Sequence, residues 1–258
     1  MRRHIRYFIL LLILAFVAVN EAVVRMRTAS WERPLEVHIY AISGDNRQAS
    51  RDYVNRLTIA NFKPIERFVN REAEHYGLNM EAIEVTYHGR LDSHPPQPPE
   101  SGNMLQNMWW SMRFRSWVWK RNWTSDNDAA DVELFVNYFD TETSHRLRHS
   151  VGLRGGLIGI INAFADKSYR GSNHVVITHE LMHTLGATDK YDLATVLPQH
   201  PQGYADPYQQ PLYPQRKAEI MGGRIPLSSS DATMPDALGK VVVGVFTAAE
   251  IGWSDAGP

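Results

Sequence analysis

The chain of 258 residues contains no cysteine, and this absence excludes two kinds of chemistry. No disulfide can form, so the fold does not depend on the redox state of its compartment. No thiolate can bind a metal, so any zinc ion must be held by nitrogen and oxygen atoms. Anchoring through a lipid-modified cysteine is excluded for the same reason.

The chain also lacks an excess of charge of either sign. Its 27 lysines and arginines and 28 aspartates and glutamates give a formal net charge of -1. This balance provides no global argument for nucleic acid or an acidic partner, and we expect no nucleic-acid partner. With 43% apolar residues the chain can bury a sizeable core, and its length suits one domain built as two lobes.

Long apolar runs are absent except near the N-terminus. Basic residues there precede an uninterrupted apolar run over residues 7–19, which is long enough for a signal peptide and short for a membrane span. The cleavage site is poor, because Asn20 or Phe16 stands where export peptidases prefer a small residue. We therefore expect residues 1–24 to be a signal peptide or an N-terminal membrane anchor. Residues 30–258 then lie outside the cytoplasm, in the cell envelope or secreted.

Apolar periodicity predicts an alternation of strands and helices before an irregular C-terminal region. Strands are predicted over residues 35–43, 83–91, 131–139 and 151–164 (the last as one or two), and helices over residues 51–76, 103–123, about 172–185 and 247–253. Pro64 should kink or split the first helix, and Ser172 or Asn173 can cap the third. The order indicates the α+β class, with an α/β-like upstream part.

Residues 103–123 are the most aromatic part of the chain. One helical stripe carries Leu105, Met108, Met112, Trp119 and Trp123, and the neighbouring stripe carries Trp110, Phe114 and Trp117, with basic residues beside them. Such a pattern can stack on nucleic-acid bases or lie among lipid headgroups. We favour an amphipathic helix packed across a sheet, with its arginines reaching out to solvent.

The most informative stretch has the pattern HExxHxxGxxD. His179 and His183 lie four positions apart, so a helix presents both rings on one face, where they can bind one metal ion. Glu180 lies beside the first histidine and can hold a water molecule on that metal. Gly186 can take a positive φ and turn the chain sharply, which would bring the carboxylate of Asp189 back as a third ligand. Three ligands with one open position are typical of catalytic zinc.

The third ligand is the least certain part of this pattern. A bare HExxH motif leaves Glu219 and Glu250 as candidates, as in zinc peptidases that use a glutamate. The glycine and its spacing to Asp189 favour the aspartate. By composition alone the whole pattern arises in on the order of one chain in ten thousand, which argues against two unrelated histidines.

These residues resemble the metzincin clan of zinc endopeptidases. The long motif has Asp189 where most members carry a third histidine, as in snapalysin and in peptidases of the immune inhibitor A type, whose GxxDxYD pattern resembles residues 186–192. Met221 lies downstream in a turn-prone sequence, where the clan places a methionine beneath the metal. The predicted order of strands and helices is also similar to the upstream lobe of the clan.

The resemblance implies a two-lobed zinc protease domain, with a mixed twisted sheet and the active-site helix in an upstream lobe of about 30–186 and an irregular downstream lobe of about 187–258. It implies that His179, His183 and Asp189 bind Zn²⁺, that Glu180 activates the zinc-bound water as general base, and that Met221 is structural. The substrate would be a peptide or protein, held by an edge strand that we expect within residues 155–160, a stretch that is equally compatible with an ordinary glycine-rich hairpin. Some members have a tyrosine where Gly223 stands here. A residue that stabilises the transition state is therefore unassigned, with Tyr191 and Tyr204 as candidates.

Two other functions are compatible with the same residues. A non-catalytic, envelope-anchored module could keep the metal and attach to a membrane or partner through its aromatic helix or N-terminal segment. Alternatively, His179, His183 and Asp189 could form the facial triad of a non-heme iron enzyme. That reading leaves Glu180 without a role and normally draws its ligands from strands, so we favour the endopeptidase.

Overall fold

A computed structural model describes residues 30–99, 103–123, 130–153 and 157–254. The predicted signal peptide or anchor at residues 1–24 lies outside the described residues. Within them, no helix is both long enough and apolar enough to cross a membrane.

The fold is organised around a mixed five-stranded sheet. Its strands are β1 Leu35–Ser43, β2 Ile83–Arg90, β3 Val132–Phe139, β4 Val151–Leu153 and β5 Ile158–Phe164, in the order β2-β1-β3-β5-β4. The first three and β5 pair in parallel, whereas β4 pairs antiparallel with β5 at one edge. The central strand β3 is almost wholly buried, as expected of a parallel strand covered on both faces. The predicted mixed α/β architecture is confirmed at this level.

Five α-helices accompany the sheet in the described residues. They are α1 Gln48–Asn55, α2 Lys63–His75, α3 Met104–Trp123, α4 Arg170–Leu185 and α5 Val245–Glu250. The predicted helix over residues 51–76 is split into α1 and α2, and Pro64 lies in the first turn of α2, where its missing N–H costs no hydrogen bond. The C-terminal helix begins at Val245 and not at Thr247 as expected, because Gly244 takes the extended cap position.

Each face of the sheet carries its own core. The larger core combines α1, α2 and α4 with the C-terminal region, and it receives alternate residues of β1 such as Val37 and Ile39. The smaller core lies on the other face, where Tyr40 and Ile42 meet α3. The period-two alternation of a strand thus sends successive side chains of β1 into different cores.

Helix α3 is less buried than we expected from its sequence. The stripe of Trp110 and Phe114, with Val118, packs on the sheet. The other stripe is exposed over Met104, Leu105, Met108, Trp109, Met112, Trp119 and Trp123. The expectation of a mostly packed amphipathic helix is therefore wrong for half of the helix, because the sheet offers only one narrow contact face.

The C-terminal region has little regular structure, as its prolines predicted. Its short strands form two pairs, β6 Ala218–Glu219 with β9 Val241–Val242 and β7 Ile225–Pro226 with β8 Ala232–Thr233. Tertiary hydrogen bonds fix it to the rest of the fold. The Trp31 indole donates to the carbonyl of Ile251 at 2.8 Å, and the Tyr76 hydroxyl donates to the carbonyl of Val243 at 2.7 Å.

Candidate metal centre

Helix α4 carries His179, Glu180 and His183, and its start is fixed to the sheet. The helix begins at Arg170, so Ser172 and Asn173 lie inside its first turn, and the expectation that one of them caps the helix is wrong. The Asn173 amide instead donates to the carbonyl of Phe164 at 2.9 Å and accepts from its N–H at 3.1 Å. An amide that makes both bonds pins the helix to the end of β5.

Gly186 ends this helix. Its φ is 113°, in the left-handed region, and the N–H of Ala187 reaches back to the carbonyl of Met182 at 3.0 Å. A side chain would be strained in this backbone conformation, whereas glycine adopts it readily. The chain therefore turns directly beneath α4 and carries Asp189 to the face that holds the two histidines.

The two histidines and Asp189 converge on one point. Nε2 of His179 lies 3.2 Å from Oδ1 of Asp189, and Nε2 of His183 lies 3.1 Å from the same oxygen. One possible ligand atom from each of the three residues lies within 4.8 Å of the other two. Two imidazole nitrogens and a carboxylate oxygen at this spacing can bind a metal ion.

The outer nitrogens of both rings are bonded to backbone carbonyls. Nδ1 of His179 lies 2.8 Å from the oxygen of Ile220, and Nδ1 of His183 lies 2.9 Å from the oxygen of Ala187. Because a carbonyl can only accept, each Nδ1 carries its proton there, which leaves Nε2 of each ring facing Asp189. In a neutral ring this nitrogen carries a lone pair, so the two rings and the carboxylate together fit a metal ion.

The electrostatics of this cluster follow from the same contacts. Burial lowers the pKa of His179, but its bond to Asp189 outweighs this, and the pKa lies above the ordinary value. Burial raises the pKa of Asp189, but the two histidines outweigh this and hold it well below its usual range. The carboxylate is therefore ionised at neutral pH and available to a cation.

A buried glutamate fixes the turn at Met221. One Glu219 oxygen accepts from the N–H groups of Met221 at 2.7 Å and Gly222 at 2.8 Å, and the other accepts from Gly244 N–H at 3.1 Å and the Thr247 hydroxyl at 2.7 Å. Glu219 has no exposed surface. Through the neighbouring carbonyl of Ile220, this turn holds the ring of His179.

The other glutamate considered as a third ligand is also committed to a structural contact. The Glu250 carboxylate accepts from the Thr188 hydroxyl at 2.6 Å and from the Lys190 ammonium at 2.7 Å. Lys190 is 2% exposed, and its backbone N–H donates to the carbonyl of Met221 at 2.9 Å. Glu250 and Lys190 thus hold both sides of Asp189, and neither Glu219 nor Glu250 joins the metal-binding group.

Glu180 lies beside the cluster in a buried position. It is 6% exposed, and among the described residues its Oε2 atom has no hydrogen-bond partner. Burial raises the pKa of Glu180. A buried carboxylate oxygen with no partner is costly, so its place beside a metal site indicates a functional role.

Gly152 brings the edge strand β4 against α4. A Cβ atom at this position would lie 2.5 Å from the carbonyl oxygen of Glu180 and 2.8 Å from Cβ of His183. Only glycine allows this approach. The edge strand beside α4 is β4, Val151–Leu153. The expectation that residues 155–160 supply this edge is wrong for residues 158–160, which lie in β5 and pair on both sides, with β3 and β4. Residues 155 and 156 lie outside the described residues.

The two candidate tyrosines differ in position. Tyr191 lines a cavity of about 430 Å³ together with His179 and Glu180. Burial raises the pKa of Tyr191 to about 12, and the charge of Asp189 acts in the same direction. Tyr204 instead bonds the hydroxyl of Tyr213 at 2.7 Å and lines another cavity. The structure therefore brings Tyr191 to the centre and not Tyr204.

No family model matches this sequence, and no curated protein matches it either. Solved structures resemble it at low identity. Wild-type OgpA from Akkermansia muciniphila is 13% identical with a TM-score of 0.41, and catalytically inactive OgpA in complex with an O-glycopeptide (glycodrosocin) substrate is 12% identical with a TM-score of 0.39. Each of these alignments covers 87% of this chain and 62% of the OgpA chain.

A third similar structure is described as a chaperone-substrate complex. It is 13% identical with a TM-score of 0.43, and the alignment covers 85% of this chain and 33% of that chain. At these similarities the proposed activity has to rest on the residues of the site.

Proposed function

We propose that this chain is a zinc-dependent endopeptidase of the metzincin type. His179, His183 and Asp189 are its metal ligands, and Glu180 is its general base. One observation carries the proposal: three acceptor atoms converge within 4.8 Å beside a buried carboxylate that has an unpartnered oxygen. A purely structural site would have no use for the glutamate.

The donor set supports zinc over the hard cations. Ca²⁺ and Mg²⁺ prefer cages of oxygen atoms, whereas two imidazoles and one carboxylate are a common catalytic zinc set. Zinc in this position lowers the pKa of a bound water and polarises a substrate carbonyl. The bonds of the two Nδ1 atoms to Ile220 and Ala187 fix the ring orientations that such binding needs.

Glu180 supplies the proton transfers in this mechanism. Its unpartnered oxygen takes a proton from the attacking water, and the same oxygen then delivers the proton to the leaving nitrogen of the cleaved peptide. The close approach of β4 to α4 keeps bulk water away from the buried side of Glu180.

The substrate lies along β4 in an extended conformation. Among the described strands, β4 pairs only with β5, which leaves its other edge open for main-chain hydrogen bonds to a peptide. The same strand lies against α4 at Gly152, where its backbone approaches the carbonyl of Glu180. A peptide on that edge therefore passes directly in front of the proposed base.

Tyr191 is the tyrosine that we assign to the developing oxyanion. Where some members of the clan carry a tyrosine, this chain has Gly223, and the Tyr191 ring lies 3.9 Å from the position of a Cβ atom there. The Tyr191 ring is thus within van der Waals contact of the position where those members carry their tyrosine. Its hydroxyl can donate to a substrate oxygen beside the metal.

We also propose that the chain is organised as two lobes behind an N-terminal export or anchor segment. Residues 30–186 form the upstream lobe, residues 187–258 form the downstream lobe, and Met221 is the structural methionine under the metal. Residues 1–24 export the chain or anchor it in the envelope with the site facing outward. Such a location keeps a peptidase away from the proteins of the cytoplasm.

The test is metal-dependent cleavage of a generic unfolded protein by the purified chain. Cleavage that zinc restores after chelation, and that a hydroxamate inhibitor blocks, supports the proposal. No cleavage by protein that has bound zinc contradicts it. Iron in place of zinc in elemental analysis of protein purified without added metal would favour the non-heme iron alternative.

A further inference from the structure

The cavity beside the metal centre has an unusual charge distribution. Apart from the catalytic end, its wall carries His145, Arg146, Arg148, His149 and Arg224. Glu180 is the sole carboxylate among the described residues that line it. Three of these five residues are arginines, whose side chains are always charged in proteins, so the cavity is positively charged beside the catalytic glutamate.

The arginines come from two segments that the fold brings together. Arg146 and Arg148 precede the edge strand β4, and Arg224 follows the turn at Met221. Both segments also build the site, since β4 contacts Glu180 and the turn holds His179. A group that enters the cavity beside the scissile bond therefore meets cations from two sides.

The segment that carries Arg146 and Arg148 is anchored. The Asn162 amide donates to the carbonyls of Arg148 and His149, each at 3.2 Å, and the N–H of Asn162 donates to the Ser150 hydroxyl at 3.0 Å. Asn162 is itself buried and accepts from the side chain of Asn137 at 3.2 Å. The basic wall is thus attached to the central strands of the sheet.

Two of these arginines have no internal acid. Among the described residues, no carboxylate forms an ion pair with Arg146 or with Arg224. Arg224 is only partly exposed and has no ion-pair partner among the described residues, whereas Arg146 is exposed. A carboxylate that enters the cavity can bind either guanidinium group through two parallel hydrogen bonds.

We propose that this cavity is a specificity subsite for an acidic side chain of the substrate, an aspartate or a glutamate close to the scissile bond. The inference rests on the proposed peptidase function and names the substrate class that the site prefers. A cavity of about 430 Å³ has room for one or two side chains and not for a folded polyanion. Arg146 and Arg224 are its specificity-determining residues.

The test uses pairs of fluorogenic peptides that differ only by Glu against Gln, or Asp against Asn, scanned across the positions on both sides of the cleavage site. At one position the acidic peptide should have a kcat/KM about tenfold or more above that of its amide partner, as expected for a charge-assisted contact. The ratio should fall as salt is raised, because partly exposed charges are screened.

The variant that tests the assignment is Arg146→Gln combined with Arg224→Gln, which should bring the ratio to about one. Arg113→Gln combined with Lys120→Gln is the matched control, because it removes two positive charges at a different cavity on α3, and it should leave the ratio unchanged. An active enzyme with equal rates for both members of every pair overturns the subsite. A ratio that persists in the double variant also overturns it.

A second measurement separates this proposal from the peptidase function. Zinc-loaded Glu180→Gln protein should bind the acidic peptide about tenfold more tightly than the amide peptide by fluorescence anisotropy, whether or not the wild type cleaves either one. If the wild type cleaves no peptide and Glu180→Gln still shows this binding difference, only the proposed peptidase function is contradicted. Equal binding of both peptides contradicts the subsite.

Discussion

Nδ1 of His179 donates to the carbonyl oxygen of Ile220 at 2.8 Å, across 41 positions of sequence. This bond joins the motif helix to the turn at Met221 and sets which nitrogen of the ring faces Asp189. This turn is itself fixed by Glu219, whose carboxylate accepts four hydrogen bonds. The proposed metal binding therefore depends on residues outside the ligand set.

Replacing the third ligand should abolish metal binding. In Asp189→Ala the two Nε2 lone pairs remain, but the anion that completes the group is lost. We expect the zinc affinity, measured by competition with a chromophoric chelator, to fall by more than about a hundredfold, since loss of an outer partner alone costs 10- to 100-fold. Asp192→Ala is the control, because that carboxylate accepts from Thr195 instead. Equal zinc affinity in both variants would remove Asp189 from the ligand set.

Removing the hydroxyl of Tyr191 should slow hydrolysis without weakening metal binding. Tyr191→Phe keeps the ring beside Gly223 and loses only the donor proposed for the oxyanion. We expect kcat to fall by about 10²- to 10³-fold, with little change in KM or zinc content. Tyr204→Phe should leave kcat within about twofold, because its hydroxyl bonds Tyr213 away from the site. A larger loss of kcat in Tyr204→Phe than in Tyr191→Phe would refute the assignment.

The turn at Met221 should depend on the charge of Glu219. In Glu219→Gln one oxygen becomes an NH₂ group that faces two donors, so buried N–H or O–H groups lose their acceptor. We expect the free energy of unfolding, from urea titration, to drop by about 2–4 kcal/mol. The zinc affinity should fall with it, because the Ile220 carbonyl moves. The exposed Glu36→Gln is the control and should change neither quantity.

The motif residues and the residues that support them differ in how far the sequence could identify them. The motif residues and Gly186 are local, since a helical repeat and one left-handed glycine bring His179, His183 and Asp189 together. The roles of Glu219, Ile220 and Gly152 depend on contacts between distant segments. No local pattern marks them, and for that reason residues 158–160, which lie inside the sheet, were wrongly predicted to belong to the edge strand.

The helices show the same limit. The predicted helix over residues 51–76 is split into α1 and α2, and Pro64 stands in the first turn of α2, where a proline is tolerated because no hydrogen bond needs its N–H. The start of α4 was misplaced because Asn173 bonds the end of β5 and does not cap the helix. The two apolar stripes of α3 look alike in sequence. Which of them is covered depends on the contact with the sheet, which the sequence of the helix does not show.

The contact of Glu250 with Lys190 should make stability depend on pH. Burial raises the pKa of Glu250, but the bonds from Lys190 and Thr188 outweigh this, and the pKa lies below its ordinary value of 4.5. A lowered pKa means that the contact stabilises the fold fully above the unfolded-state pKa and is lost as pH falls through the folded-state pKa. Glu250→Gln cannot titrate, so it should be less stable than wild type by about 1–3 kcal/mol at neutral pH.

The measurement is urea unfolding of both proteins from neutral pH down to about pH 3.5. The difference between wild type and Glu250→Gln should shrink below about pH 4.5, as the wild-type carboxylate begins to take up its proton. A difference that stays constant over this range would show that the charge of Glu250 does not contribute.

The central claim, that Glu180 drives hydrolysis at a zinc site, is tested most directly by measuring zinc content and peptide hydrolysis together in wild type and Glu180→Gln. The account predicts about one zinc per chain in both proteins and a rate at least about a hundredfold lower in the variant, the usual contribution of a general base. Hydrolysis by Glu180→Gln at the wild-type rate would contradict it.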